Sequence, residues 1–149
     1  MHTEIRLASI EDLAIVLPFV RTFHQVENIP IAEKDLKTSL STLLNNDTLG
    51  GIWLIYCEGQ AVGYIMLSFG YSLEFGGKDA FIDEFYIQPE FRGLGLGKET
   101  LKLIKMVAKE LGICTLLLEV DKTKDKAQKL YSDLNFIFRD RYFLMLASL

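Results

Sequence analysis

Eleven residues from Gln88 to Lys98 read Gln-Pro-Glu-Phe-Arg-Gly-Leu-Gly-Leu-Gly-Lys and stand between a strand-like run and a long helical pattern. Glycine at such a junction lets the backbone turn tightly. The first N–H groups of the helix that follows have no intrahelical acceptor, so the loop can present them to an anion at the positive helix end. That is the chemistry of a pyrophosphate cradle. Arg92 and Lys98 bracket the loop with positive charge, and Gly93, Gly95 and Gly97 alternate with Leu94 and Leu96, which the spacing leaves to anchor it. The plainer alternative is a strand-to-helix turn that takes glycine for its geometry alone.

Two other phosphate-binding patterns compete and fail on spacing. Reading G-x-G-x-x-G from Gly93 meets Lys98 at the third glycine, and reading it from Gly95 meets Thr100. Glu119 does lie near the distance of a ribose-binding acid, but a dinucleotide fold opens with its glycine loop, whereas this loop comes two-thirds along the chain after an antiparallel hairpin. A P-loop needs G-K-[ST] four residues after a glycine, and none is present.

The elements that must position the loop are legible from periodicity. Ser9 and Asp12 suit a capping start, and Leu13, Val16, Leu17, Val20 and Phe23 recur at helical spacing, which predicts a helix over 10–26 with Pro18 inside it. Leu36, Leu40, Leu43 and Leu44 mark a second helix, so two helices are expected before the sheet. Ile52 to Cys57 and Ala61 to Phe69 are rich in β-branched and aromatic residues and flank a tight turn at Glu58-Gly59-Gln60. After Gly76-Gly77 a strand is expected over 80–87, stopped by Pro89. Leu101, Ile104, Val107, Ala108 and Leu111 make a helix that closes on Gly112, and a strand over 113–120 follows. Strand, crossover helix and strand imply a parallel pair. Ala127, Leu130, Tyr131 and Leu134 make a short helix, and 136–138 with 141–146 suggest a closing hairpin.

Composition narrows the function classes. With 149 residues, half of them hydrophobic, the chain suits one domain over 1–149. A net charge of −4, from 16 basic and 20 acidic residues, argues against nucleic acid as a partner. No leader-like N-terminus and no membrane-length apolar run are seen, so a cytoplasmic protein without membrane attachment is expected. Cys57 and Cys114 lie in apolar runs with no CxxC spacing, and His2 and His24 are the only histidines. No metal site is expected, and both cysteines read as reduced core residues.

Arg92-Gly-Leu-Gly95-Leu-Gly97 resembles the R/Q-x-x-G-x-G/A acetyl-CoA motif of the GNAT N-acetyltransferases, and Ile87-Gln88-Pro89-Glu90 resembles the strand end that leads into it. Glu119-Val120, then Ala127, Leu130-Tyr131, Leu134 and Phe136, resemble the family's next signature, a strand followed by a short helix ending in L-Y-x-x-L-G-F. The resemblance runs from about Ile5 to Leu146. It implies an α/β fold with a mixed central sheet, antiparallel N-terminal strands, a splayed parallel pair and about four helices. It also implies acetyl-CoA as acyl donor, held by Phe85, Tyr86 and Ile87, by the loop from Arg92 to Lys98, and near Lys124. Lys124 stands where Asn is frequent, and it alters the contact to the pantetheine arm or supplies one to phosphate. Asn135 stands where Gly is frequent.

Acyl transfer from a thioester to an amine needs a neutral amine, donors for the developing oxyanion and a proton for the departing thiolate. The resemblance assigns that proton to Tyr131. For the base, Asp83 comes first, Glu119 second and Glu84 third. Alternation along a strand sends Asp83 and Glu84 to opposite faces, and a water chain could replace any of the three. Tyr71, Glu74 and Phe75 are expected to border the acceptor site, where Glu74 with Asp83 would suit a cationic amine. The acceptor is read as a primary amine of a small molecule or peptide, and the sequence leaves a homodimer open. The competing class is a CoA-binding module of the same fold that transfers nothing. Tyr131 and the strand carboxylates favour the enzyme.

Overall fold

The computed structural model describes residues 1–149 throughout. The chain forms two compact units, Met1–Glu119 and Val120–Leu149, each described by itself. The first contains a five-stranded sheet in the order β1-β2-β3-β4-β5, with β1 Thr3–Leu7, β2 Gly50–Cys57, β3 Gln60–Ser72, β4 Gly77–Ile87 and β5 Thr115–Leu118. The first four strands pair antiparallel, and β4 with β5 is parallel. Helices α1 Leu13–Val26 and α2 Glu33–Leu44 connect β1 to β2, and α3 Leu96–Glu110 is the crossover from β4 to β5. Helix α4 Asp125–Asp133 belongs to the second unit. This is the expected mixed sheet with a parallel pair and four helices. No helix is long and apolar enough to cross a membrane.

A strand, not a helix, opens the chain. Thr3–Leu7 pairs with 53–57 of β2, so the expectation of two helices ahead of the sheet needs correcting. The Ser9–Asp12 capping box is present, with the Ser9 amide donating to Asp12 Oδ2 at 2.8 Å. The β2–β3 turn consists of Glu58 and Gly59, both at positive φ, 49° and 80°. That is the two-residue arrangement whose twist matches paired strands.

Period-two alternation, interrupted on β3 by a bulge at Val62, sorts the sheet's side chains into two cores. On one face Ile52, Leu54, Tyr64 and Tyr86 pack with Val16 and Val20 of α1 and Leu36 and Leu40 of α2. On the other, Ile55, Cys57, Val62 and Ile87 pack with Leu96 of α3. Gly63 allows β3 and β4 to close at their shared end, since a Cβ there would lie 2.0 Å from the Tyr86 carbonyl oxygen.

Three helices stop the same way. After α1, α3 and α4 a residue at positive φ, respectively Asn28, Gly112 and Asn135, reverses the chain. The next amide then reaches back to the carbonyl five residues earlier: Ile29 to His24, Ile113 to Ala108 and Phe136 to Tyr131. This is the Schellman arrangement, completed at α4 by the edge-to-face contact of Tyr131 and Phe136 at 5.7 Å. The Leu-Tyr-x-x-Leu-Asn-Phe pattern is therefore partly a helix stop. Asn135, at φ 67°, tolerates a conformation that a Cβ-bearing residue without a short polar side chain resists. Asn135→Ala is expected to cost about 1 kcal/mol in denaturant unfolding, and Asn135→Gly to cost nothing or to stabilise.

Three further expectations are corrected. No strand forms over 136–146, where Ile137, Phe143, Met145 and Leu146 are largely exposed. The strand expected over 113–120 is confined to Thr115–Leu118. Both cysteines are free, but only Cys57 is buried; Cys114 is exposed just ahead of β5, because its neighbour Ile113 takes the buried position.

Candidate active site

The ladder of the parallel pair stops short of the end of β4. Residues 79–82 of β4 pair with 115–118 of β5, and there the ladder ends. Beyond it, Glu84–Ile87 of β4 keep their β3 partners but have none on the β5 side. This leaves an open edge of main-chain donors and acceptors immediately before the glycine loop, which is where an extended ligand could pair as a strand does.

The loop's form fits an anion. Gly93 and Gly95 lie at φ 74° and 86°, and a Cβ at either would meet nothing within 4 Å. The glycines thus serve backbone conformation in a place that stays open. Gly95 is the N-cap of α3, so the amides of Leu96, Gly97 and Lys98 are the helix's first, unsatisfied donors. Leu96, 2% exposed, anchors the turn. Leu94 does not, being about half exposed. Arg92 is held at one of its donors: its Nε donates to the Ile87 carbonyl at 2.7 Å and its guanidinium lies 5.6 Å from the Tyr86 ring centre. It ties the loop to the strand end. Lys98 is exposed on the first turn of α3.

The carboxylates separate sharply. A register shift between Met66 and Leu67 pairs Met66 with Glu84 and Leu67 with Ile82, leaving Asp83 as the extra residue of a β-bulge. Simple alternation therefore does not govern this stretch, which corrects the argument that set Asp83 and Glu84 on opposite faces. Asp83 is exposed. Glu84 is turned onto the α1 side, where Tyr64 Oη donates to its Oε1 at 2.7 Å and His24 Nε2 lies 2.6 Å from its Oε2. Burial, and secondarily the Glu84 charge, push the Tyr64 phenol far above its ordinary range, so it remains an O–H donor. Glu119, just past β5, is exposed.

In the second unit Tyr131 is half-buried on α4, and burial raises its phenol, which keeps the proton on oxygen at neutral pH. Lys124 is the N-cap residue of α4. Tyr71, Glu74 and Phe75 sit at the β3–β4 hairpin. Tyr71 pairs with Lys78, six residues along β4 from Glu84, about 20 Å in an extended strand. The structure does not bring this hairpin beside Glu84 or the glycine loop.

Sequence reasoning missed His24 and Tyr64. A signal for His24 was available: it follows Val16 and Val20 at i+4 steps on the apolar stripe of α1, a core position for a polar ring.

Comparison with known proteins agrees with this arrangement. A thialysine N-epsilon-acetyltransferase of Bos taurus is 34% identical over 73 residues, 49% of this chain and 42% of that protein, so the chain spans less than half the length of that relative. An uncharacterized N-acetyltransferase of Archaeoglobus fulgidus is 29% identical over 132 residues, 87% of this chain and 89% of that one. Among solved structures, an integron cassette protein from the mobile metagenome of Cole Harbour Salt Marsh superposes with a TM-score of 0.83 at 32% identity, covering 96% of this chain and 89% of its own. A possible acetyltransferase from Clostridium difficile 630 shares the fold, with a TM-score of 0.83 at 22% identity over 100% and 99% of the two chains. A family model described as the Acetyltransferase (GNAT) family matches residues 18–136. With its parted parallel strands, its glycine loop and these matches, the chain belongs to the GNAT family of acetyltransferases.

Proposed function

We propose that this chain transfers the acetyl group of acetyl-CoA to a primary amine of a small molecule or peptide, by direct attack of the amine on the thioester. The observation that carries the reading is the open β4 edge leading into a glycine-rich α3 N-terminus. The loop amides receive the pyrophosphate, and the main chain of Phe85, Tyr86 and Ile87 pairs with the pantetheine arm along the free edge.

Of the three carboxylates, Glu84 is the base in this proposal. It is held at both oxygens and shielded from bulk water, whereas Asp83 and Glu119 are exposed. An amine arriving as ammonium gives one proton to Glu84, and its nitrogen lone pair then attacks the carbonyl carbon. As the tetrahedral intermediate collapses, the C–S bond breaks, the thiolate takes the proton that the resemblance assigns to Tyr131, and the second proton lost by the nitrogen restores the phenol through solvent while Glu84 releases its own to water. The amide leaves on one side and free CoA on the other, with no covalent enzyme intermediate.

Gly95 tests the donor site without touching the chemistry. Gly95→Val forces a β-branched residue into the left-handed region and places its methyl groups in the open cradle. Titration calorimetry is expected to show CoA affinity at least about tenfold weaker, the equivalent of about 1.4 kcal/mol. A large loss of apo stability with CoA affinity unchanged would return the loop to a purely structural role.

A further inference from the structure

Glu84 is gripped from two elements that the family motifs do not include. Tyr64 comes from the middle of β3 and is fully buried; His24 comes from the last turn of α1. The His24 and Glu84 side chains are 11% and 17% exposed. Phe23 flanks the site, lying 6.0 Å from the His24 ring and 6.3 Å from Tyr64.

Hydrogen-bond accounting determines how the imidazole is used. An ionised carboxylate only accepts, so the 2.6 Å contact at Oε2 requires the hydrogen on His24 Nε2. His24 Nδ1 is buried and has no partner. Nδ1 lacks a partner with or without a hydrogen, so the Glu84 contact fixes the hydrogen on Nε2 and nothing beyond it. Each carboxylate oxygen then has one fixed donor, Tyr64 on Oε1 and His24 on Oε2, and each keeps a lone pair for a proton from outside. The backbone holds this geometry too: the His24 carbonyl accepts from the Ile29 amide in the α1 helix stop, which fixes the ring's last turn.

We infer that His24 is a positioning residue for acyl transfer, donating through Nε2 to Glu84 so that the carboxylate is presented in one orientation to the acceptor amine. The inference rests on Glu84 being the base. Loss of the donor frees one carboxylate oxygen and lets the side chain swing, so the proton-accepting geometry is sampled less often while the donor-binding loop is untouched. A displacement of about 1 Å at a reacting group can cost roughly a hundredfold in rate.

The test uses His24→Leu and His24→Gln in the full chain, with turnover and Michaelis constants on one verified amine and CoA affinity measured separately. His24→Leu is expected to lose roughly a hundredfold in kcat with the acetyl-CoA KM and CoA Kd little changed. His24→Gln, whose amide can still donate to Oε2, should recover most of that loss. A second readout needs no activity. The chain has two histidines, so long-range proton–nitrogen correlation identifies His24 by its absence in His24→Gln. The wild-type ring should hold a hydrogen fixed on Nε2, and that fixed hydrogen should be lost in Glu84→Gln. Wild-type kcat in His24→Leu, or equal losses in the Leu and Gln variants, would overturn the inference. So would a His24 ring that averages its tautomers, and this spectrum decides the matter if His24→Leu fails to fold. Undiminished turnover in Glu84→Gln sinks the base assignment instead, whereas its collapse alongside an unaffected His24→Leu sinks only the role of His24.

Discussion

Glu84→Gln is expected to lower turnover by roughly a hundred- to ten-thousandfold, the range of a lost general base, while CoA binds as in the wild type. The substitution keeps volume and shape, and Tyr64 can still donate to the amide oxygen, so the packing around Tyr64 and Phe23 is preserved. What disappears is a group able to take a proton. Because the effect falls on a step after binding, kcat and kcat/KM should drop together. Asp83→Asn and Glu119→Gln serve as comparisons: both side chains are exposed, and each should leave turnover within a few-fold of wild type. Steady-state kinetics of the three variants on one amine rank the carboxylates directly. Full activity in Glu84→Gln with a collapse in Asp83→Asn would move the base into the bulge.

Tyr131→Phe should cost between about ten- and ten-thousand-fold in turnover, with Michaelis constants changed much less. The ring is kept, so the edge-to-face contact with Phe136 that completes the α4 stop survives. Unfolding should therefore be nearly unaffected, which separates the hydroxyl's chemistry from the ring's structural use. Burial raises the phenol above its ordinary value, so the acid is in its protonated form throughout the neutral range, and the loss should be equally visible from about pH 6 to 9. Unaltered turnover would confine Tyr131 to helix termination.

The helices were legible because their apolar residues repeat at a helical period and their stops carry glycine or asparagine. The β2–β3 hairpin was legible because a two-residue positive-φ turn needs a residue such as Gly59. The opening strand was not: Thr-Glu-Ile-Arg-Leu is short with two of its five residues charged, and only its pairing with β2 makes it a strand. The C-terminal error is the reverse. Aromatic and β-branched residues after Asn135 have strand-like composition, yet composition supplies no partner, and strand preference is largely a matter of what the strand packs against.

At the site, the glycine loop could be read outright, since its conformation needs glycine locally. The ranking of carboxylates could not. One extra residue at Asp83 shifts the register of β4, and nothing in Ile82-Asp83-Glu84 itself announces a bulge. The partners of Glu84 lie 60 and 20 residues away in sequence, so the contacts that single it out exist only once α1 and β3 are packed against β4.

The most direct measurement is release of free thiol from acetyl-CoA by the purified chain, with and without a panel of primary amines of small molecules and short peptides. Thiol release that depends on one amine class, matched mole for mole by acetylated amine in mass spectrometry, is the predicted result. Tight CoA binding with no amine-dependent thiol release across the panel would contradict it and leave a binding module of the same fold.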